Sequence, residues 1–264
     1  MTAPLHMLIR GQSPLIINIP HAGTTLPPGF EGSLSDPARS LPDTDWNLPF
    51  LFHFAVFAGA TLMAATHSRY VIDVNRSPDD RSSLSDANLP GLVPGNTFDG
   101  DAVYRAGREP DARTIAERRA RYWEPYHDEL TERIGAIHER HGYAILLDAH
   151  AVKAWVPRLH DGRLPDFNIG TCDGLSCCPS LRRAAVETLQ AEAQYSLSVD
   201  TVIKGGYTVR HYGRPELGLH ALQLELVQDH YLDPGAPQEW QPARAENLST
   251  SLRRLVDTLI AWRP

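Results

Sequence analysis

Each of two short apolar runs in this chain ends in a histidine. His21 follows the run Leu-Ile-Ile-Asn-Ile-Pro at residues 15–20, and His150 follows Ala-Ile-Leu-Leu-Asp-Ala at residues 144–149. In α/β proteins such runs form buried strands, and ligands bind at the carboxyl ends of those strands. Because neutral imidazole is the most common protein ligand for zinc, the two histidines together predict a metal site.

A catalytic zinc ion needs about three protein ligands and one open position. Two acids, Asp43 and Asp45, lie on the loop that leaves His21 and offer a carboxylate as the third ligand. Either acid is also suited to be the N-cap of a helix that we predict from residue 46. The presence of two acids on this loop favours one of them facing the metal.

A third apolar run, at residues 222–227, contains an acid. Strand alternation places Gln223 and Glu225 on one face and leucines on the other. Burial of an unpaired carboxylate is costly, so Glu225 must be paired or functional. We predict that Glu225 is the general base that takes a proton from water, and the alternative is a salt bridge within the sheet.

Three cations are candidates for binding an anionic substrate. Arg76 follows the apolar run that ends at Asp73-Val74-Asn75, and its planar fork of donors suits a carboxylate, although an ion pair with Asp79 or Asp80 is an equal alternative. Lys204 and Arg210 belong to the glycine-containing segment 204–213, which suits an anion site or a mobile lid.

The elements that position these residues alternate between strands and helices. We predict strands at 15–19, 61–65, 70–74, 144–149, 167–170, 198–203 and 219–227. We predict helices at 46–58, 111–141, 180–195 and 243–262. The long polar segments 22–44 and 76–110 are predicted to be loops that wall the site. This alternation indicates one three-layer α/β domain, residues 1–264, with a mostly parallel sheet.

Composition narrows the classes of partner. The 264 residues carry a formal net charge of −7, which argues against nucleic-acid binding. The sequence contains no apolar run long enough for a membrane span and no evident signal peptide, so we expect a cytoplasmic protein. Its three cysteines have no disulfide or metal-binding spacing and are expected to be reduced.

Several runs of this chain resemble the N-formylglutamate amidohydrolase (N-formylglutamate deformylase) family. They begin at Pro20-His21-Ala22-Gly23 and Asp43-Thr44-Asp45-Trp46, and they continue through Ser68–Arg76, Tyr122–His127, Asp148–Ala151, Lys204–Tyr207 and Gln223–Leu226. The resemblance covers nearly the whole chain in order. The family is similar in turn to zinc carboxypeptidases and aspartoacylases, which implies a mixed α/β sheet flanked by helices.

The resemblance implies that His21, an acid and His150 hold one Zn²⁺, with another divalent metal as an alternative. In the carboxypeptidases the acid follows the first histidine by three residues, but Thr24 stands there in this chain. We therefore expect the ligand farther along, and choose Asp45 over Asp43. The resemblance also implies that Asn75 and Arg76 grip a substrate carboxylate and that Glu225 is the base.

The implied reaction is hydrolysis of N-formyl-L-glutamate to formate and L-glutamate, the last step of one histidine degradation route. A dicarboxylate needs at least two cationic anchors, and Arg76 with Lys204 or Arg210 would supply them. Two alternatives remain. One is a zinc amidohydrolase or carboxypeptidase-like hydrolase acting on another N-acyl amino acid or small peptide, and the other is a non-catalytic binding module. We expect a small-molecule substrate and a monomer or small homo-oligomer.

Overall fold

A seven-stranded sheet forms the centre of the computed structural model, which describes residues 4–79, 91–233 and 235–264. The strands are β1 (His6–Ile9), β2 (Leu15–Ile19), β3 (Thr61–Ala65), β4 (Ala144–Val152), β5 (Phe167–Gly170), β6 (Leu197–Val199) and β7 (Leu219–Val227). Their order is β1-β3-β2-β4-β7-β5-β6. Only β1–β3 and β5–β7 pair antiparallel among these described strands, so the predicted mixed, mostly parallel sheet is confirmed.

The helices cover both faces of the sheet. They are α1 (Leu48–Leu51), α2 (Phe54–Phe57), α3 (Ala112–Arg118), α4 (Glu124–His141), α5 (Pro179–Gln190), α6 (Tyr207–Tyr212) and α7 (Pro242–Ala261). Alternate strand residues enter two separate cores: Leu15 and Ile17 lie in the core with α5 and α7, whereas Ile16 lies in the core with α4. The predicted three-layer arrangement is therefore confirmed.

Four predicted elements differ from the structure in detail. The helix predicted at 180–195 ends at Gln190. The predicted helix 46–58 is split into α1 and α2, because His53, Ala55 and Val56 bond the carbonyls three residues earlier. The predicted helix 111–141 contains a π-helical turn, Arg119–Trp123, between α3 and α4. The strand predicted at 198–203 is limited to Leu197–Val199, and β1 was not predicted.

The predicted strand at 70–74 is wrong, because this apolar segment is a buried turn. Side chains bind its carbonyls in place of a neighbouring strand. The Tyr104 hydroxyl donates to Tyr70 O at 2.7 Å, and His127 Nε2 lies 2.7 Å from Val74 O. The apolar composition therefore correctly predicted that this segment is buried. Its carbonyl groups, however, form hydrogen bonds with side chains and not with a neighbouring strand.

No helix among the described residues has both the length and the apolar character required to cross a bilayer.

Candidate active site

Three adjacent strands of the sheet position the chemistry. β4 lies between β2 and β7, and the register of β4 and β7 places His150 directly opposite Glu225. His21 follows the end of β2, where Pro20 has no N–H to continue the ladder. Parallel strands bring their carboxyl ends to one edge. His21, His150 and Glu225 therefore meet at that edge, and all three line one pocket.

His21, Asp45 and His150 form a buried cluster with the donor set of a zinc site. The His150 Nδ1 atom lies 3.1 Å from His21 Nδ1 and 3.4 Å from Asp45 Oδ2, and the third side of this triangle is 3.9 Å. Ligands of tetrahedral zinc, with bonds of about 2.0–2.1 Å, stand about 3.3 Å apart. Asp45 Oδ2 is buried without a hydrogen-bond donor. The residues present therefore fit a zinc ion.

A second pair of acids fixes the orientation of both rings. Asp73 Oδ1 lies 2.7 Å from His21 Nε2, and Asp148 Oδ2 lies 2.9 Å from His150 Nε2. Although burial opposes it, the Arg69 guanidinium at 2.5 Å, together with His21, holds the pKa of Asp73 well below its usual range. Each Nε2–H can donate to its carboxylate, which leaves each Nδ1 lone pair directed at the cluster.

The two candidate acids on the loop after His21 have different surroundings. Asp45 faces both histidines, and its backbone N–H donates to His21 O at 3.0 Å. The Asp43 carboxylate instead accepts from the Tyr70 hydroxyl at 2.8 Å and from the Phe98 N–H. Neither acid is an N-cap, because Asn47 precedes α1. This geometry favours Asp45 as the third ligand.

Glu225 shares its strand face with Gln223, as alternation predicted. Gln223 Nε2 lies 3.4 Å from Glu225 Oε2, and Gln223 Oε1 accepts from the Gly206 N–H at 2.6 Å. A Cβ at position 206 would lie 2.6 Å from the Asn75 amide, so this close approach requires glycine. Burial raises the pKa of Glu225 to about 7. The alternative salt bridge is not seen among the described residues.

The predicted Asn75–Arg76 pair lies beside the cluster. The Asn75 amide contacts Asp148 Oδ2 and His150 Nε2, both at 3.0 Å, and accepts from the Thr208 N–H at 2.8 Å. Asn75 therefore connects β4 with α6 through these contacts. Arg76 lines the pocket, and the Trp123 indole N–H donates to its carbonyl at 3.0 Å. Of the alternative partners of Arg76, Asp80 lies outside the described residues.

A cavity of about 280 Å³ opens in front of the cluster. Its described lining contains more cationic side chains than acidic ones: the cations are Arg69, Arg76, Arg158, Lys204 and Arg210, and the acids are Asp45 and Glu225. The exposed Lys204 ammonium binds Asp173 at 3.1 Å, and Arg210 donates to Gly205 O at 2.5 Å. Such a pocket can hold an anion beside a metal and a base.

Sequence reasoning did not assign roles to Asp73, Arg69 or Arg158. Asp148 lies in the apolar run that ends at His150, and the spacing of two along β4 places both side chains on one face. Asp73 carried no comparable signal, since it contacts a histidine 52 residues away through a turn.

Comparison with known proteins places this architecture in a family. The family model for N-formylglutamate amidohydrolase matches residues 13–232, a range that includes every site residue described above. A curated N-formylglutamate deformylase from Pseudomonas aeruginosa is 44% identical over 96% of this chain and 95% of its own length. One from Pseudomonas putida, also named N-formylglutamate deformylase, is 40% identical over 96% and 94%.

Solved structures agree. The crystal structure of N-formylglutamate amidohydrolase from Ralstonia eutropha JMP134 has a TM-score of 0.83 and 27% identity, covering 97% of this chain and 96% of that one. A gene product from Agrobacterium tumefaciens, with a TM-score of 0.70 and 19% identity, shares the fold over 97% of this chain and 96% of its own. The chain belongs to the N-formylglutamate amidohydrolase family.

Proposed function

We propose that this protein is a zinc-dependent hydrolase that converts N-formyl-L-glutamate to formate and L-glutamate. The observation that carries the proposal is the convergence of His21, Asp45 and His150 with Glu225 in one cation-lined pocket. The curated relatives at 44% and 40% identity are named for this activity. We propose that residues 1–264 form one catalytic domain, because the site draws on β2, β4 and β7 of a single sheet.

His21 Nδ1, Asp45 Oδ2 and His150 Nδ1 would hold the metal. A zinc ion bound there supplies a Lewis acid for the formyl oxygen and lowers the pKa of bound water to about 7. Asp73 and Asp148 keep both imidazole rings oriented through their Nε2 atoms. The buried, unpartnered Asp45 oxygen supports occupation by a cation, and another divalent metal would satisfy the same donors.

Glu225 is the proposed proton carrier. Its carboxylate accepts a proton from the water that attacks the formyl carbon, and then delivers a proton to the amide nitrogen as the C–N bond breaks. Formate and the free amine of L-glutamate leave. Gln223 orients Glu225 from the same strand face, and the Gly206 N–H holds Gln223 in turn.

Arg76 is the proposed anchor for the carboxylate next to the scissile amide. It follows Asn75, whose amide contacts His150 Nε2, and it lines the same cavity as the metal cluster. Two donors from the helical region hold this segment: Trp123 binds the Arg76 carbonyl and His127 binds the Val74 carbonyl. The other residues that we predict to bind the substrate are Asn75, Lys204 and Arg210. Asn75 would act indirectly, through its contacts with the Thr208 backbone and the His150 ring.

We also propose a cytoplasmic enzyme that acts on a small molecule as a monomer or small homo-oligomer. The small-molecule substrate rests on the activity for which the curated relatives are named, and the other expectations are carried over from the sequence.

Release of formate from N-formyl-L-glutamate, with N-acetyl-L-glutamate and N-formyl-L-aspartate in parallel, tests the proposed function. We expect the highest kcat/KM for N-formyl-L-glutamate. Higher kcat/KM for N-acetyl-L-glutamate would favour the alternative hydrolase of other N-acyl amino acids. No turnover of any of the three by zinc-loaded protein would contradict the proposal and favour a binding module.

A further inference from the structure

Arg158 is a cation in the pocket wall that the proposed mechanism has not used. It lies in the loop between β4 and β5, is half-buried, and lines the same cavity as the metal cluster and Arg76. Its Nη1 donates to the Thr97 carbonyl at 3.0 Å. Within the described parts of the chain, no carboxylate lies within ion-pair distance of this guanidinium.

The neighbouring cations have different partners. Arg69 is buried against Asp73 at 2.5 Å, and the Lys204 ammonium is bound to Asp173 on the exposed side of its loop. A guanidinium has five N–H donors in a planar fork. Because Thr97 accepts from one nitrogen of Arg158, this half-buried cation of the cavity lining has further donors that Thr97 does not occupy. Such a charge is stabilised by an anionic ligand.

The loop that accepts the hydrogen bond of Arg158 is itself fixed by hydrogen bonds. Thr97 is fully buried, and its N–H donates to Asp101 O at 2.8 Å. The next residue, Phe98, donates its N–H to both oxygens of the buried Asp43 carboxylate. Arg158 is therefore held by a loop that is itself bonded to the segment carrying Asp45. A side chain fixed in this way loses less conformational entropy when it binds a ligand.

We propose that Arg158 binds the side-chain carboxylate of the substrate and selects for a dicarboxylate. The inference rests on the proposed function and assigns the two carboxylates to different walls of the cavity. Arg76, which follows Asn75 in the chain and lines the cavity together with His150, holds the carboxylate adjacent to the scissile amide. Arg158, which reaches the cavity from the β4–β5 loop, holds the carboxylate at the far end of the side chain. Lys204, already paired with Asp173, is not needed for this role.

The test compares substrates that differ only in charge at one end. N-formyl-L-glutamine replaces the side-chain carboxylate with a neutral amide of similar shape, and N-formyl-L-isoglutamine makes the same change at the other carboxylate. We expect Arg158→Gln to lower kcat/KM for N-formyl-L-glutamate by about 10–100-fold, mainly through KM, because a charged hydrogen-bonding pair is lost. Its kcat/KM for N-formyl-L-glutamine should change less than about threefold.

A matched control lies in the same loop. Arg163 is paired with Asp166 at 2.8 Å and does not line the described cavity. Arg163→Gln should leave kcat/KM for all three substrates unchanged. Equal losses on all three substrates in Arg158→Gln would overturn the proposal, since they would indicate that Arg158 only supports the Thr97 loop. A loss seen with the glutamate and glutamine substrates but absent with isoglutamine would also overturn it, because it would place Arg158 on the other carboxylate.

A binding measurement separates this inference from the proposed reaction. Calorimetric titration of zinc-loaded protein with glutarate, a dicarboxylate without an amide, reports the anchors without turnover. We expect Arg158→Gln to weaken glutarate binding by about tenfold or more while Arg163→Gln does not. If the wild-type protein released no formate but showed this difference, the reaction would fail and the anchor would stand. Equal glutarate affinity in the wild type and Arg158→Gln would overturn the anchor even in an active deformylase.

Discussion

The Nδ1 atoms of His21 and His150 lie 3.1 Å apart, and the opposite ring nitrogens each contact a buried carboxylate. A carboxylate that accepts from Nε2–H fixes the tautomer in which Nδ1 keeps its lone pair. The same contact raises ligand basicity. Asp73 and Asp148 therefore prepare both histidines to bind a metal through Nδ1, together with Asp45 Oδ2.

Substitution of Asp148 tests this preparation. We expect Asp148→Asn to weaken zinc binding by about 10–100-fold, because His150 Nε2 loses its charged acceptor. Competition with a chromophoric chelator measures the affinity. Asp166→Asn is the matched control: Asp166 is another buried acid bonded to a histidine, His230, but it does not line the described cavity. If Asp148→Asn and Asp166→Asn bound zinc as tightly as the wild type, the proposed role of Asp148 would fail.

The two acids after His21 should have opposite effects when neutralised. Asp45→Asn replaces the anionic ligand carboxylate with a neutral amide, so we expect the purified protein to retain little zinc. Asp43→Asn should keep about one equivalent of zinc but lose about 1–3 kcal/mol of unfolding free energy, because Tyr70 and Phe98 lose their charged acceptor. Metal analysis and urea denaturation measure the two effects. Zinc retained in Asp45→Asn and lost in Asp43→Asn would exchange the assignments.

Glu225→Gln tests the general base. Removal of a general base typically costs about 10²–10⁴-fold in rate, so we expect kcat to fall by that factor while zinc content is kept. Gln223 and the strand pairing with His150 remain in this variant, which favours an intact fold. Turnover is measured per folded, zinc-loaded molecule. Near-normal turnover on that basis, in a less stable protein, would indicate a structural role instead.

Because the His127 side chain is buried, we expect the folded protein to lose stability as the pH falls. Burial lowers its pKa from 6.5 to about 4, and its ring contacts Val74 O and the Tyr212 hydroxyl. The unfolded chain therefore binds more protons than the folded chain between these values, so stability falls as pH drops from about 6.5 to about 4. The contribution is about 3 kcal/mol in total.

The check is the unfolding free energy of the metal-free wild type and of His127→Gln, measured by urea denaturation at several pH values. The variant should be less stable near pH 7, and its stability should fall less steeply between pH 6.5 and 4.5. Parallel pH dependence in the two proteins would show that His127 does not titrate as described.

Local patterns predicted the central strands well, because β2, β4 and β7 are apolar on both faces or alternate cleanly. They did not predict the turn at 70–74, whose carbonyls are bound by Tyr104, Arg118 and His127 from distant parts of the chain. The π-helical turn before α4 was missed for a related reason. Its Trp123 is placed by a contact with the Arg76 carbonyl, which no helical period records.

Prediction of the site residues was limited in the same way: local position was informative, and contacts between distant segments were not. Strand-end position was enough to pair His21 with His150, because the carboxyl ends of parallel strands meet at one edge of the sheet. That Glu225 lies directly opposite His150 follows from the register of β4 and β7, which local sequence patterns do not determine. The separation of Asp45 from Asp43 depends on Tyr70 and Phe98, which bind Asp43 only once the loops have folded. The role of Arg158 was difficult to predict for the same reason, because its hydrogen-bond partner Thr97 is 61 residues away in the chain.

The most direct test of the account is zinc reconstitution of the metal-free protein during N-formyl-L-glutamate hydrolysis. Chelator-treated protein should release no formate, and activity should rise in proportion to added zinc until about one equivalent is bound. His150→Ala, treated identically, should stay inactive at the same zinc concentrations. Full formate release by the metal-free wild type, or equal recovery in His150→Ala, would contradict a zinc hydrolase built on His21, Asp45 and His150.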